Sequence, residues 1–138
     1  MIDSLASGFV LLFLDQWSKK MVRTRVPVPA RGHRIVRIRY VLNARTLYTS
    51  TAARTVLVLV WLAALASAVF LFRFGFRFQS HAAHIGLGAA LGGAAGNLLD
   101  ILRRRGVEDF IDLQWWPVFN LADVAIIGGL AMAFWPYH

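Results

Sequence analysis

Seven acidic residues occur in 138 positions: Asp3, Asp15, Asp100, Glu108, Asp109, Asp112 and Asp123. Five of them fall between positions 100 and 123. Two aspartates close the same pattern, Asn97-Leu98-Leu99-Asp100 and Asn120-Leu121-Ala122-Asp123. Residues i and i+3 of a helix share a face, so each pattern sets an amide beside a carboxylate. An asparagine can donate to that carboxylate and accept from a water. Two carboxyl groups about 3 Å apart cannot both ionise, so they share a proton. One then acts as base on a water while the other acts as acid toward a carbonyl oxygen. This chemistry needs no metal, serine or cysteine. The chain has no cysteine, which excludes disulfides and thiolate metal sites. His81 and His84 are three apart, but two ligands make a weak metal signal. No metal and no cofactor are expected.

The elements that must position these residues are membrane spans. Hydrophobic residues make up 58% of the chain, more than a soluble domain of this size hides. A span needs about 20 apolar residues. Candidates run over 5–21, 55–72, 82–102 and 118–137. The first carries Asp15 and lacks a basic start, so it reads as a span and not as a cleaved leader. Trp115, Trp116, Trp135 and Tyr137 flank the fourth, as interfacial aromatics do. Residues 22–54 form the long connection. Within it Arg34, Val36, Ile38 and Tyr40 alternate with Ile35, Arg37, Arg39 and Val41, which predicts a strand on the membrane surface. Gly88, Gly92 and Gly96 are spaced by four, so span three is expected to sit centrally among close neighbours. The fold class is an all-α membrane protein, one domain over 1–138, with four transmembrane helices and a small β element. Successive spans alternate direction, so Asp15, Asp100, Asp109 and Asp123 are expected at one membrane face. Glu108 and Asp112 are read as capping or ion-pairing acids. The net charge is +8, but the basic residues sit beside apolar spans. Anionic lipid headgroups, and not nucleic acid, are the expected partners.

Five pieces, in order, resemble the lipoprotein signal peptidases (signal peptidase II). They are Asp15-Gln16-Trp17-Ser18-Lys19, Asn43, Gly92 through Asp100, Val107-Glu108-Asp109-Phe110-Ile111, and Phe119-Asn120-Leu121-Ala122-Asp123. The resemblance implies four membrane helices with a small extracytoplasmic β-sheet beside the active site. It implies an aspartic endopeptidase of the bacterial inner membrane. Its substrates would be prolipoproteins, cut just before a diacylglyceryl-modified cysteine. The family's catalytic pair falls on Asp109 and Asp123; residue spacing alone does not choose Asp109 over Asp100. Asp15, Lys19, Asn43, Asn97, Asp100 and Asn120 fall on its supporting positions. The expected state is a monomer.

The chain departs from the family pattern at Arg45, where a glycine is usual, and at Ile101, where an arginine is usual. Arg103 is the expected stand-in for that arginine. The stretch from Phe110 to Asp123 is short. These departures raise the alternative of an altered paralogue that binds lipidated peptides without cutting them. An ion carrier is disfavoured, because the other membrane half offers no ionisable residue within a span. Ten of the fifteen Lys and Arg lie between Lys19 and Arg54, and three more are Arg103, Arg104 and Arg105. That distribution would put the acid-bearing face inside the cell, whereas the resemblance puts it outside.

Overall fold

A computed structural model describes residues 2–25, 36–44, 50–75 and 80–135. The elements are helix α1 (Ile2–Arg25), strand β1 (Arg37–Asn43), helix α2 (Thr51–Phe74), helix α3 (His81–Arg104), strand β2 (Val107–Asp112) and helix α4 (Leu121–Phe134). Ser50 caps α2, its hydroxyl accepting from the Ala53 amide, and Ser80 caps α3 through Ala83. These caps satisfy amides that the first helical turn leaves without partners. Helix α3 stops at Arg105, which takes a left-handed φ of 58° and donates its amide to the Ile101 carbonyl. The turn costs a non-glycine residue about 1 kcal/mol. It sends the chain directly into β2.

Three expectations are revised. Helix α1 continues to Arg25, beyond the expected end at position 21. Helix α4 starts at Leu121 and not at 118, because Asn120 is its cap and Phe119 bridges to Ile111 of β2. The connection between α3 and α4 is itself a strand, which the residue pattern did not predict. It pairs antiparallel with β1, placing Val41 opposite Asp109 and Asn43 opposite Val107, with an irregularity between Ile38 and Val41. The expected strand lay over 34–41; its positions 34 and 35, and the departure at Arg45, fall outside the described residues.

Helix α3 is central. It packs against α1 and α4, and more lightly against α2, where the Trp61 indole donates to the Leu91 carbonyl at 3.3 Å. Glycine permits the close approach to α1: a Cβ on Gly92 would strike the Gly8 carbonyl and lie 2.8 Å from the Gly8 Cα. Polarity is inverted relative to a water-soluble core. The largest fully buried side chains are Lys19, Glu108, Asn120, Asp15 and Asp100, while Phe9, Phe13 and Ile127 are each about 70% exposed. Such a surface is stable only against lipid. Among the described residues α2 and α3 are long and apolar enough to cross a membrane, and α4 is shorter.

Candidate active site

The site is assembled by a clasp between β2 and the start of α4. The Phe110 and Ile111 amides donate to the Phe119 carbonyl at 3.0 and 2.8 Å, and the Phe119 amide returns to the Ile111 carbonyl at 3.1 Å. Asp109 and Asn120, one residue outside these bonds, are thereby set side by side. Asn120 and Asp123 then form a capping box. The Asn120 side chain accepts from the Asp123 amide, and the Asp123 carboxylate accepts from the Asn120 amide. Hence the second Asn-x-x-Asp is not an amide and a carboxylate on one helical face. It is a helix start, which fixes the Asp123 rotamer.

Four amide contacts hold the two carboxylates. Asp109 Oδ1 accepts from Asn120 Nδ2 at 2.8 Å, and its Oδ2 from Asn43 Nδ2 at 3.4 Å. Asp123 Oδ1 accepts from Asn97 Nδ2 at 2.9 Å, and its Oδ2 from the Asn120 amide at 3.1 Å. Asn120 Nδ2 also reaches Asn97 Oδ1 at 3.1 Å. Asn120 thus touches both acids, through its side chain and its backbone. Burial pushes the Asp109 carboxyl above its ordinary range, against the lowering effect of the Asn120 and Asn43 hydrogen bonds.

Beneath this pair lies a buried ionic cluster. Lys19 Nζ is 2.7 Å from both Asp15 Oδ2 and Asp100 Oδ2, and it donates to Asn97 Oδ1 at 3.1 Å. Asp15 Oδ1 accepts the Ala122 amide at 3.0 Å, in the first turn of α4. Gly96 makes room for this carboxylate, since a Cβ there would sit 2.5 Å from Asp15 Oδ2. Lys19 therefore orients Asn97, which in turn orients Asp123.

Asp109, Asp123, Asn43 and Asn97 line one open groove of about 850 Å³, walled by Leu113, Val118, Ile127 and the exposed Trp115 and Trp116. Its lining combines a mostly apolar wall with a few polar groups, as ligand-binding clefts do. A second cavity of about 430 Å³ lies between α1, α2 and α3, but it contains no carboxylate and is almost wholly apolar. Both amide-held acids line the first.

The structure brings together all eight residues singled out in the sequence: Asp15, Lys19, Asn43, Asn97, Asp100, Asp109, Asn120 and Asp123. Asn97 and Asp100 form separate contacts and not a mutual pair, Asp100 turning to Lys19, to Gln16 at 3.0 Å and to the Glu108 amide at 3.3 Å. Gln16 is a further supporting residue that the motif spacing did not single out; its adjacency to Asp15 was the available signal. Arg103, the expected stand-in beside Asp100, is exposed. Arg104, one helical turn on, approaches Asp100 Oδ1 at 3.5 Å. Asp112 pairs with Arg39 at 2.6 Å, and Glu108 with Arg23 and Arg104, as the ion-pairing reading has them.

The fold is similar to that of a bacterial membrane enzyme solved in meso at 1.9 Å resolution. The TM-score is 0.76 at 19% identity, covering 94% of this chain and 88% of that one. A second such structure, at 2.3 Å resolution, gives a TM-score of 0.73 over 94% of this chain and 83% of that one. The lipoprotein signal peptidase of Moorella thermoacetica is 35% identical over 136 residues, covering 95% of this chain and 89% of that protein. That of Pelotomaculum thermopropionicum is 56% identical over 50 residues, 36% of this chain and 33% of that protein. A family model described as signal peptidase (SPase) II matches residues 8–137, and the chain belongs to that family of proteases.

Proposed function

We propose that this chain is an aspartic endopeptidase that removes the signal peptide from diacylglyceryl-modified bacterial prolipoproteins, with Asp109 and Asp123 as its catalytic pair. The observation that carries this reading is Asn120. One residue donates to both carboxylates, which line the same open groove. Each carboxylate oxygen accepts an amide and keeps a second lone pair for water.

A water held between the acids gives its proton to the ionised carboxylate and attacks the scissile carbonyl carbon. The protonated carboxyl gives its proton to the carbonyl oxygen, forming a neutral tetrahedral intermediate. The intermediate collapses as the leaving nitrogen is protonated and the C–N bond breaks, and the pair again shares one proton. Asn43, Asn97 and Asn120 hold the carboxylates in place; Asp15, Lys19 and Asp100 hold the asparagines and the start of α4. Burial holds the Asp109 carboxyl above its ordinary range, which favours its protonated form and so a shared proton.

The proposal includes four membrane spans, a monomer in the inner membrane, an extracytoplasmic site, and lipid tails and signal helix lying against the apolar faces. The positive-inside conflict is eased by pairing. Lys19, Arg23, Arg39 and Arg104 are each bound to a carboxylate, so they are not free cations seeking the cytoplasm. A C-terminal fluorescent reporter that matures only in the cytoplasm should fluoresce; a dark fusion contradicts the orientation. The non-cleaving paralogue draws no support, since both acids are present and amide-held. Asp109→Asn and Asp123→Asn should each reduce cleavage of a lipidated precursor peptide by roughly a thousandfold or more while the protein stays in the membrane. Retained activity in either variant refutes the assignment.

A further inference from the structure

Glu108 lies next to Asp109 in the chain, and its surroundings exceed what a surface ion pair requires. It is 1% exposed. Arg23 Nη1 of α1 contacts its Oε1 and Oε2 at 2.9 and 3.2 Å, Arg104 Nε of α3 contacts Oε1 at 3.0 Å, and the Tyr40 hydroxyl of β1 donates to Oε1 at 3.1 Å. Its own amide donates to Asp100 Oδ2 at 3.3 Å. Three elements therefore converge on one carboxylate, in the strand that carries Asp109.

This arrangement fixes a local charge balance. Facing the site, α1 supplies Asp15, Lys19 and Arg23, and α3 supplies Asp100 and Arg104. Strand β1 supplies the neutral Tyr40, β2 supplies Glu108 and Asp109, and α4 supplies Asp123. Arg39 is engaged with Asp112 at the far end of the sheet, and Arg103 and Arg105 are exposed. Apart from the two proposed catalytic acids, three carboxylates meet three cations. Without Glu108, two guanidiniums and one ammonium would face two carboxylates, and the site would carry an excess positive charge.

We propose that Glu108 is a positioning residue that holds β2 and cancels the Arg23 and Arg104 charges, so that the proposed catalytic pair keeps its one shared proton. The inference rests on the catalytic-pair reading, and its sign is fixed by electrostatics. Excess positive charge favours ionised carboxylates and strips the shared proton at lower pH. Partial exposure of Arg23 and Arg104, 35% and 26%, screens the effect to about half a pH unit.

The test is the pH profile of kcat/KM on a synthetic peptide carrying a signal sequence and a diacylglyceryl cysteine. Glu108→Gln should move the profile down by about half a unit. Arg23→Gln should move it up by a similar or smaller amount, and the double variant should return it toward the parent. A structural role alone would lower activity without opposite shifts. Unmoved profiles, or shifts of the same sign, overturn the proposal. Should Glu108→Gln not accumulate, the upward shift of Arg23→Gln still decides it, because Glu108 keeps Arg104 and Tyr40. Tyr40 gives a readout independent of cleavage. Burial and the Glu108 charge hold its hydroxyl above the usual range, so Tyr40 should ionise at lower pH in Glu108→Gln than in the parent. Asp109→Asn and Asp123→Asn are measured alongside: if they cleave normally, the catalytic pair itself is wrong; if they are inactive while Glu108→Gln leaves the profile unmoved, only the Glu108 proposal fails.

Discussion

Helices α2 and α3 have the same length, 24 residues each, yet they solve opposite problems. Half of the apolar stretch of α3 is buried within the protein, against 6% for α2. Helix α2 is Val-, Leu- and Ala-rich with one buried residue, Ala68; α3 is rich in glycine and alanine and ends in Asn97 and Asp100. In water the more apolar helix would be the core. In a bilayer lipid tails satisfy it, and the interior goes to small residues that admit close backbones and to polar groups that need partners. In this protein, then, the hydrophobic pattern reports the lipid-facing surface, while small and charged residues report the core.

That contrast is tested most severely at the charged end of the interior. Lys19→Met fills similar space but leaves Asp15 and Asp100 facing each other with only Arg104, 3.5 Å from Asp100, as a neighbouring cation. Breaking a buried ion pair from one side costs about 3–5 kcal/mol. The variant should lose most of its thermal stability in detergent, and cleavage with it, since Lys19 also holds Asn97. A melting temperature close to the parent's would show that this cluster is not a structural core.

A smaller effect separates two glycines in the packed helices. Gly92→Ala would drive a methyl group into the backbone of Gly8, whereas a Cβ on Gly128 of α4 would meet nothing within 4 Å. Overpacking costs about 1–3 kcal/mol, while alanine in an open helical site gains about 0.5–1 kcal/mol over glycine. The same substitution should therefore carry opposite signs at the two sites in matched denaturation curves. Equal signs would remove the basis for treating α3 as the tight centre.

The same contrast explains what could be read in advance. Helical content and the convergence of Asp15, Asp100, Asp109 and Asp123 at one end followed from span alternation, because alternation fixes depth whatever the details of packing. The capping box at Asn120 was also legible in principle, as an Asn followed three residues later by an acid ahead of an apolar run. Strand β2 was not. Val107-Glu108-Asp109-Phe110-Ile111-Asp112 has no period of two, because Val107, Glu108, Asp109 and Phe110 are all buried between β1, the helices and Phe119. The role of Glu108 is hidden for a related reason: its partners Arg23, Tyr40 and Arg104 come from three separate elements. No local spacing encodes that meeting.

The smallest expected effect lies on α2, and its smallness is informative. Leu59 is 58% exposed in the protein, and the proposed span gives it lipid as its surroundings. In a soluble core Leu→Ala costs about 2–5 kcal/mol, from lost transfer energy and a residual cavity. On a lipid-facing helix neither term operates: the tails are as apolar as leucine and flow into the vacated space. Alanine is also the better helix former. Leu59→Ala should therefore change unfolding in detergent or bicelles by no more than about 0.5 kcal/mol. A loss above about 1.5 kcal/mol would mean that α2 is covered by protein, as in contact with a second copy. Helix α2 would then belong to an interior, and the monomer would have to be given up.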